Sequence, residues 1–143
     1  MIIPDANLLI YAYDSTLPAH KKAKAWWELT LNQSEPVGIP WVVVLAFVRL
    51  MTHPRVTTNP LTITQARQYV QQWFEAAHVR LLYPSENTLR QFFDLLEAVE
   101  LGGNLSTDAL IAAHALENSA AIHSNDIDFK RFSGLKLVNP LER

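Results

Sequence analysis

Short apolar stretches separated by helix-length segments constrain this chain more than any other feature. Ile2-Ile3, Val79 to Tyr83, Ala120 to His123 and Leu135 to Val138 are strand-sized. Between them, apolar residues recur at helical spacing. Strands alternating with helices indicate an α/β fold, a short parallel sheet flanked by helices. The 143 residues fit a single domain and show no internal repeat, low-complexity tract or dividing linker.

The helices can be placed from periodicity and caps. Leu17-Pro18 introduces a helix over Ala19 to Leu31, with Ala19, Ala23, Trp26 and Trp27 along one face. His20, Lys21, Lys22 and Lys24 fall off that face and read as solvated surface. Glu35-Pro36-Val37-Gly38 reads as a turn, and Pro40 begins a helix over Trp41 to Met51. That helix is apolar nearly all round, although Val42-Val43-Val44 alone would suit a strand. Thr62 and Gln65 have capping-box spacing ahead of Ile63, Ala66, Val70, Trp73, Phe74 and Ala77. Ser85 caps the next helix, which carries Leu89, Phe92, Phe93, Leu96 and Val99 and breaks at Gly102-Gly103-Asn104. Ser106 to Asn118 is the last helix, rich in Ala.

Composition narrows the function classes. No cysteine is present, which excludes disulfides and thiolate metal sites. The apolar run from Val42 to Val48 is far short of a membrane span, and the N-terminus lacks a secretory pattern, so a cytoplasmic protein with no membrane association is expected. A formal charge of −2 does not suit a protein that holds nucleic acid by bulk electrostatics. It leaves room for an enzyme with an acidic site and local basic patches.

Four acids stand out. Asp5 follows the first strand, where open α/β sheets place ligands, and a carboxylate between Ile3 and Leu8 needs a partner, a metal or water. It would equally serve as the N-cap of the helix that follows. Asp126 follows the strand Ala120 to His123, with Asp128 two residues on, in what is also ordinary turn chemistry. Asp108 lies in the first turn of the Ala-rich helix, where the helix dipole favours an anion. Parallel strands point their carboxyl ends the same way, so Asp5 and Asp126 can converge; the approach of Asp108 depends on topology. Carboxylates about 4 Å apart repel by roughly 4 kcal/mol at an effective dielectric near 20. Such a cluster either keeps a proton or takes a divalent cation, and oxygen ligands alone favour Mg²⁺ or Mn²⁺.

Asp5-Ala-Asn7, Asp108-Ala-Leu-Ile-Ala-Ala113 and Ser124-Asn-Asp126-Ile-Asp128-Phe129 resemble the motifs of PIN-domain ribonucleases, and most closely the VapC-type toxins of bacterial toxin–antitoxin pairs. The likeness spans residues 1–143, including Leu45-Ala-Phe-Val-Arg-Leu-Met-Thr-His-Pro-Arg55 and the closing Phe132-Ser-Gly-Leu…Asn139-Pro140. It implies a single PIN domain, Mg²⁺-dependent cleavage of RNA (tRNA or ribosomal RNA), a homodimer and a cognate antitoxin that blocks the site. By the same resemblance, Asp5, Asp108 and Asp126 are the catalytic, metal-binding acids and Asp128 is a lesser ligand. Asn7 and Ser124 would orient the carboxylates.

The chain also departs from that pattern. Ala46 stands where the family usually has a glutamate, Pro4 occupies a strand position that is ordinarily apolar, and Ala6 replaces a more usual threonine. The missing glutamate leaves open an alternative, a catalytically weak PIN module that binds RNA or protein. A phosphoryl-transfer enzyme with Asp5 as nucleophile is a further alternative, against which position 7 is Asn rather than a second Asp. Arg49, His53, Arg55, Lys130 and Arg131 are candidates for holding RNA phosphates, with solvated surface as the plainer role. His114 and the four tryptophans read as packing residues.

Overall fold

The computed structural model describes residues 1–142. In chain order the elements are β1 (Ile2–Pro4), α1 (Ala6–Tyr13), α2 (His20–Asn32), β2 (Val37–Pro40), α3 (Trp41–Met51), α4 (Ile63–Glu75), β3 (Val79–Leu82), α5 (Glu86–Val99), α6 (Ser106–Asn118), β4 (Ala121–His123) and β5 (Lys136–Val138). The strands form one parallel sheet in the order β3-β2-β1-β4-β5. The α/β architecture expected from the alternation is therefore present, with most element ends within a residue of their expected places. Among the described residues no helix is long and apolar enough to cross a membrane.

One segment corrects the sequence reading. Val37-Gly38, expected as a turn, belongs to β2, which pairs with β3 from Val37↔Val79 to Pro40↔Leu82. All four β2 residues are buried, so the interior of the sheet overrides the turn propensity of a Pro- and Gly-rich stretch. Gly38 suits this place because a Cβ there would come within 2.7 Å of Leu82 Cδ1 and 2.9 Å of Met1 Sδ.

Pro4 sits in the central strand, where a missing N–H matters most. Ile2 donates to the Pro36 carbonyl at 2.8 Å, so Pro4 would present its nitrogen to the same neighbour, and it has no proton to give. Pairing of β1 with β2 is accordingly limited to Ile2↔Val37, whereas pairing with β4 runs from Ile2↔Ala121 to Pro4↔His123. On the β4 side the ladder continues into Asp5, whose N–H donates to the His123 carbonyl at 2.9 Å. That bond fixes the backbone of the first acid against the strand that leads to the last two.

The core is apolar on both faces of the central strands, with Ile3, Val37, Ile39 and Ile122 fully buried. Helices α1 to α4 meet in an aromatic cluster around Trp73, which is fully buried. Its ring centroid lies 4.8 Å from Phe47, 5.8 Å from Trp27 and 6.1 Å from Tyr13, and its Nε1 donates to the Tyr13 hydroxyl at 2.8 Å. Helix α5 packs on α6.

Candidate active site

The carboxyl ends of β1 and β4 lie side by side, which brings Asp5 and the turn Ser124 to Asp128 to one edge of the sheet. Helix α6 leads directly into β4, so it runs against the strand direction and its first turn lies at that same edge. Asp108 therefore joins the other acids because its helix returns across the sheet. A carboxylate oxygen from each of Asp108, Asp126 and Asp128 lies within 4.8 Å of the others. All three residues are half-buried.

Asp5 stands behind this trio, only 5 % exposed. It occupies the N-cap position of α1, but its side chain makes no capping hydrogen bond. Instead its Oδ2 accepts from the Ser124 hydroxyl at 2.7 Å. The Ser124 oxygen in turn accepts from the Asp126 N–H at 2.9 Å, and Asp126 Oδ1 accepts from the Asp128 N–H at 2.9 Å. This chain of bonds ties the three acids at the strand ends into one rigid unit. The turn role foreseen for Asp126 is real, since it caps the short 3-10 turn Ile127–Arg131, and it coexists with membership of the cluster.

The electrostatics are those of an anionic site short of positive charge. Burial, and then the negative charges of Asp5, Asp126 and Asp128, push Asp108 up to about 7. Burial also raises Asp5, with the charge of Asp126 adding to it, while the Ser124 hydrogen bond and the backbone of Ala6 and Asn7 pull the other way. The one ion pair to the cluster among the described residues is Arg131 Nε to Asp128 Oδ1 at 3.4 Å, and both side chains are about half exposed. The donor set is carboxylate and hydroxyl oxygen, and the electrostatic strain is what a bound divalent cation relieves. The residues fit a hard cation of the Mg²⁺ or Mn²⁺ type.

The remaining candidates are distributed unevenly. Asn7 is half-buried in the first turn of α1, and among the described residues its side chain has no hydrogen bond to an acid. Lys130 and Arg131 follow the acidic turn, within the same 3-10 segment. Arg49 lies in the last turn of α3, roughly 12 Å along the axis from the sheet edge at 1.5 Å per residue. Arg55 is exposed beyond it, its N–H bonded to His53 Nδ1 at 3.0 Å. Ala46 is half-buried against the core, and α3 carries no acid at all. His114 is buried on α6, as expected of a packed histidine, and burial lowers its pKa.

One supporting residue was not foreseen. Trp26 Nε1 donates to His123 Nδ1 at 3.0 Å, across 97 positions of sequence, and so braces the residue immediately before Ser124. The sequence shows Trp26 only as part of an apolar face; nothing in its spacing points to β4.

The chain and its fold are similar to those of known proteins. The PIN domain family model matches residues 2–135. The chain is 39 % identical over 141 residues to "Ribonuclease VapC33" of Mycobacterium tuberculosis, covering 99 % of each. It is 38 % identical to "Ribonuclease VapC37" of the same organism, covering 98 % of this chain and 97 % of the relative. Among solved structures, VapBC2 from Rickettsia felis bound to a promoter DNA fragment superposes with a TM-score of 0.68 at 22 % identity, covering 97 % of this chain and 98 % of that one. Mycobacterium tuberculosis VapC20, described as a sarcin-ricin loop cleaving toxin, gives 0.67 at 14 % identity, covering 95 % and 99 %. With relatives that match nearly the whole length of both chains and a family model that covers β1 to β4 and the acidic edge, the protein belongs to the PIN domain family.

Proposed function

We propose that the protein is a metal-dependent endoribonuclease toxin of the VapC type, cleaving phosphodiester bonds in tRNA or ribosomal RNA and held in check by a cognate antitoxin. The observation that carries this reading is the meeting of Asp108, Asp126 and Asp128 at the sheet edge, with Asp108 pushed up to about 7. The names of the relatives and the VapBC complexes among the structural neighbours support it.

In this reading Asp5, Asp108, Asp126 and Asp128 hold Mg²⁺, or Mn²⁺ in its place. When bound, the cation supplies charge for the phosphodiester and lowers the pKa of a water that attacks it. The chain's own contribution is positioning. Ser124 holds Asp5 and the Asp126 backbone in one frame. Asp108, pushed up to about 7 by burial and the neighbouring acids, would be favoured as the anion beside a bound cation. Lys130 and Arg131 lie where an RNA phosphate beside the acids would meet them, and Arg49 and Arg55 would hold RNA further along the surface. Asn7 remains a candidate for orienting the acids. The reading places one PIN domain over residues 1–143, in the cytoplasm, as a homodimer.

The test is cleavage of total RNA by purified protein in Mg²⁺, Mn²⁺ or EDTA, beside Asp5→Asn and Asp108→Asn. Discrete, metal-dependent fragments that disappear in both variants are expected. Cleavage that survives both would remove these acids from the mechanism and point to a contaminant. The absence of any acid from α3, with Ala46 in the expected place, favours a second reading as a catalytically weak RNA- or protein-binding module. Calorimetry separates the two: RNA binding with no Mg²⁺ or Mn²⁺ uptake at millimolar levels supports the binder.

A further inference from the structure

Beside the acidic cluster lies a small cavity of about 160 Å³ whose occupant the cluster itself does not define. Ser124 and Asp126 line both, so whatever enters the cavity adjoins the acids directly. Its volume falls below the roughly 300 Å³ of an ordinary small-molecule site, which restricts the occupant to a single ring system. The other walls combine opposite polar characters around an apolar rim. Ile127, 72 % exposed, supplies the rim. Asn139 Oδ1 accepts from the Leu141 N–H at 3.0 Å, which leaves the Asn139 amide NH₂ to donate. The ammonium of Lys130 and the carboxylate of Glu142 line the same space, and neither is in an ion pair among the described residues.

We infer that this cavity takes a guanine base of the RNA next to the cleaved phosphodiester, with Glu142 reading its identity. A carboxylate accepts best from two parallel N–H groups, and guanine alone among the four bases sets two side by side, at N1 and N2. Its O6 and N7 accept, which suits Lys130 and Asn139. Adenine and cytosine present one amino group beside a ring nitrogen whose lone pair repels a carboxylate. Uracil presents a single N–H between two carbonyls. The inference rests on the ribonuclease reading and deepens it by naming a specificity-determining residue.

The experiment has two arms. Binding of 5′-GMP, 5′-AMP, 5′-CMP and 5′-UMP is measured by calorimetry on the wild type and on Glu142→Gln; the four share ribose and phosphate, so differences report the base. In parallel, the base composition at cut sites in a randomised RNA pool is sequenced for both proteins, whatever their rates. GMP should bind about tenfold more tightly than the others, and Glu142→Gln should abolish that preference together with the guanine enrichment at cut sites. Equal binding of the four nucleotides, or a preference and an enrichment that survive Glu142→Gln, would overturn the inference. Selective GMP binding that depends on Glu142 in a protein that cuts no RNA would retain the pocket and remove the ribonuclease reading instead.

Discussion

Asp108 converts the architecture of the site into a measurable property of one residue. In the folded protein it holds its proton up to about pH 7, whereas the free side chain releases it near 3.8. Between those values the folded state binds more protons than the unfolded one. The stability of the metal-free protein therefore falls as pH rises from about 4 to 7, then levels off. Asp5, raised by burial, acts in the same direction. In EDTA, Asp108→Asn is expected to melt above the wild type at pH 8 and close to it at pH 4. Parallel melting curves for the two proteins across that range would show that the carboxylate carries no such load. That one acid of such a cluster keeps a proton was legible in the sequence, but that Asp108 is the one pushed up to about 7 was not. A residue in a first helical turn is ordinarily stabilised as an anion, and only the returning course of α6 sets Asp108 against three like charges.

The helices were legible where local chemistry dominates. The capping box at Thr62 and Gln65 forms as its spacing indicates, and α4 carries the expected apolar face. The run Trp41 to Met51 resolves as helix because its length suits three turns and its inner residues Val43, Val44, Phe47 and Met51 recur on one side. β2 was illegible because Pro36, Gly38 and Pro40 read as turn residues around Val37 and Ile39, and its strand state is fixed by neighbours on both sides. The aromatic cluster is likewise a tertiary property: the tryptophans could be assigned to packing, but the sequence does not show that Trp26, Trp27 and Trp73 meet while Trp41 stays half exposed. Trp73 bridges α1, α2 and α3, so Trp73→Ala should cost about 3–5 kcal/mol. Trp73→Phe retains most of the ring area but loses the bond to the Tyr13 hydroxyl, for about 1 kcal/mol. Urea unfolding midpoints check both values, and equal losses would show that the indole N–H rather than the ring is what α1 requires.

At the scale of the whole molecule, some apolar surface is left over. Trp41 and Leu45 lie one turn apart on α3, and Leu89 and Phe93 one turn apart on α5; each is 50 % exposed or more. Their periodicity was legible, but the sequence could not show that the sheet leaves them uncovered. If a second copy of the chain covers them, Leu45→Glu combined with Phe93→Glu should shift the sedimentation coefficient from dimer to monomer. An unchanged coefficient would take these helices out of the interface. The central pairing in the sheet has a consequence in time. β1 has its longer ladder with β4, and the hydrogen bond that aims Asp5 comes from a serine 119 positions later. Pairing across such a separation is slow, and a growing chain must extend through residues 121–124 before it can begin. While the ribosome is still reading the message, the first acid is made but has nothing to hold it in place. A chain whose proposed target is RNA would thus lack its assembled acidic edge until residue 124 has been made.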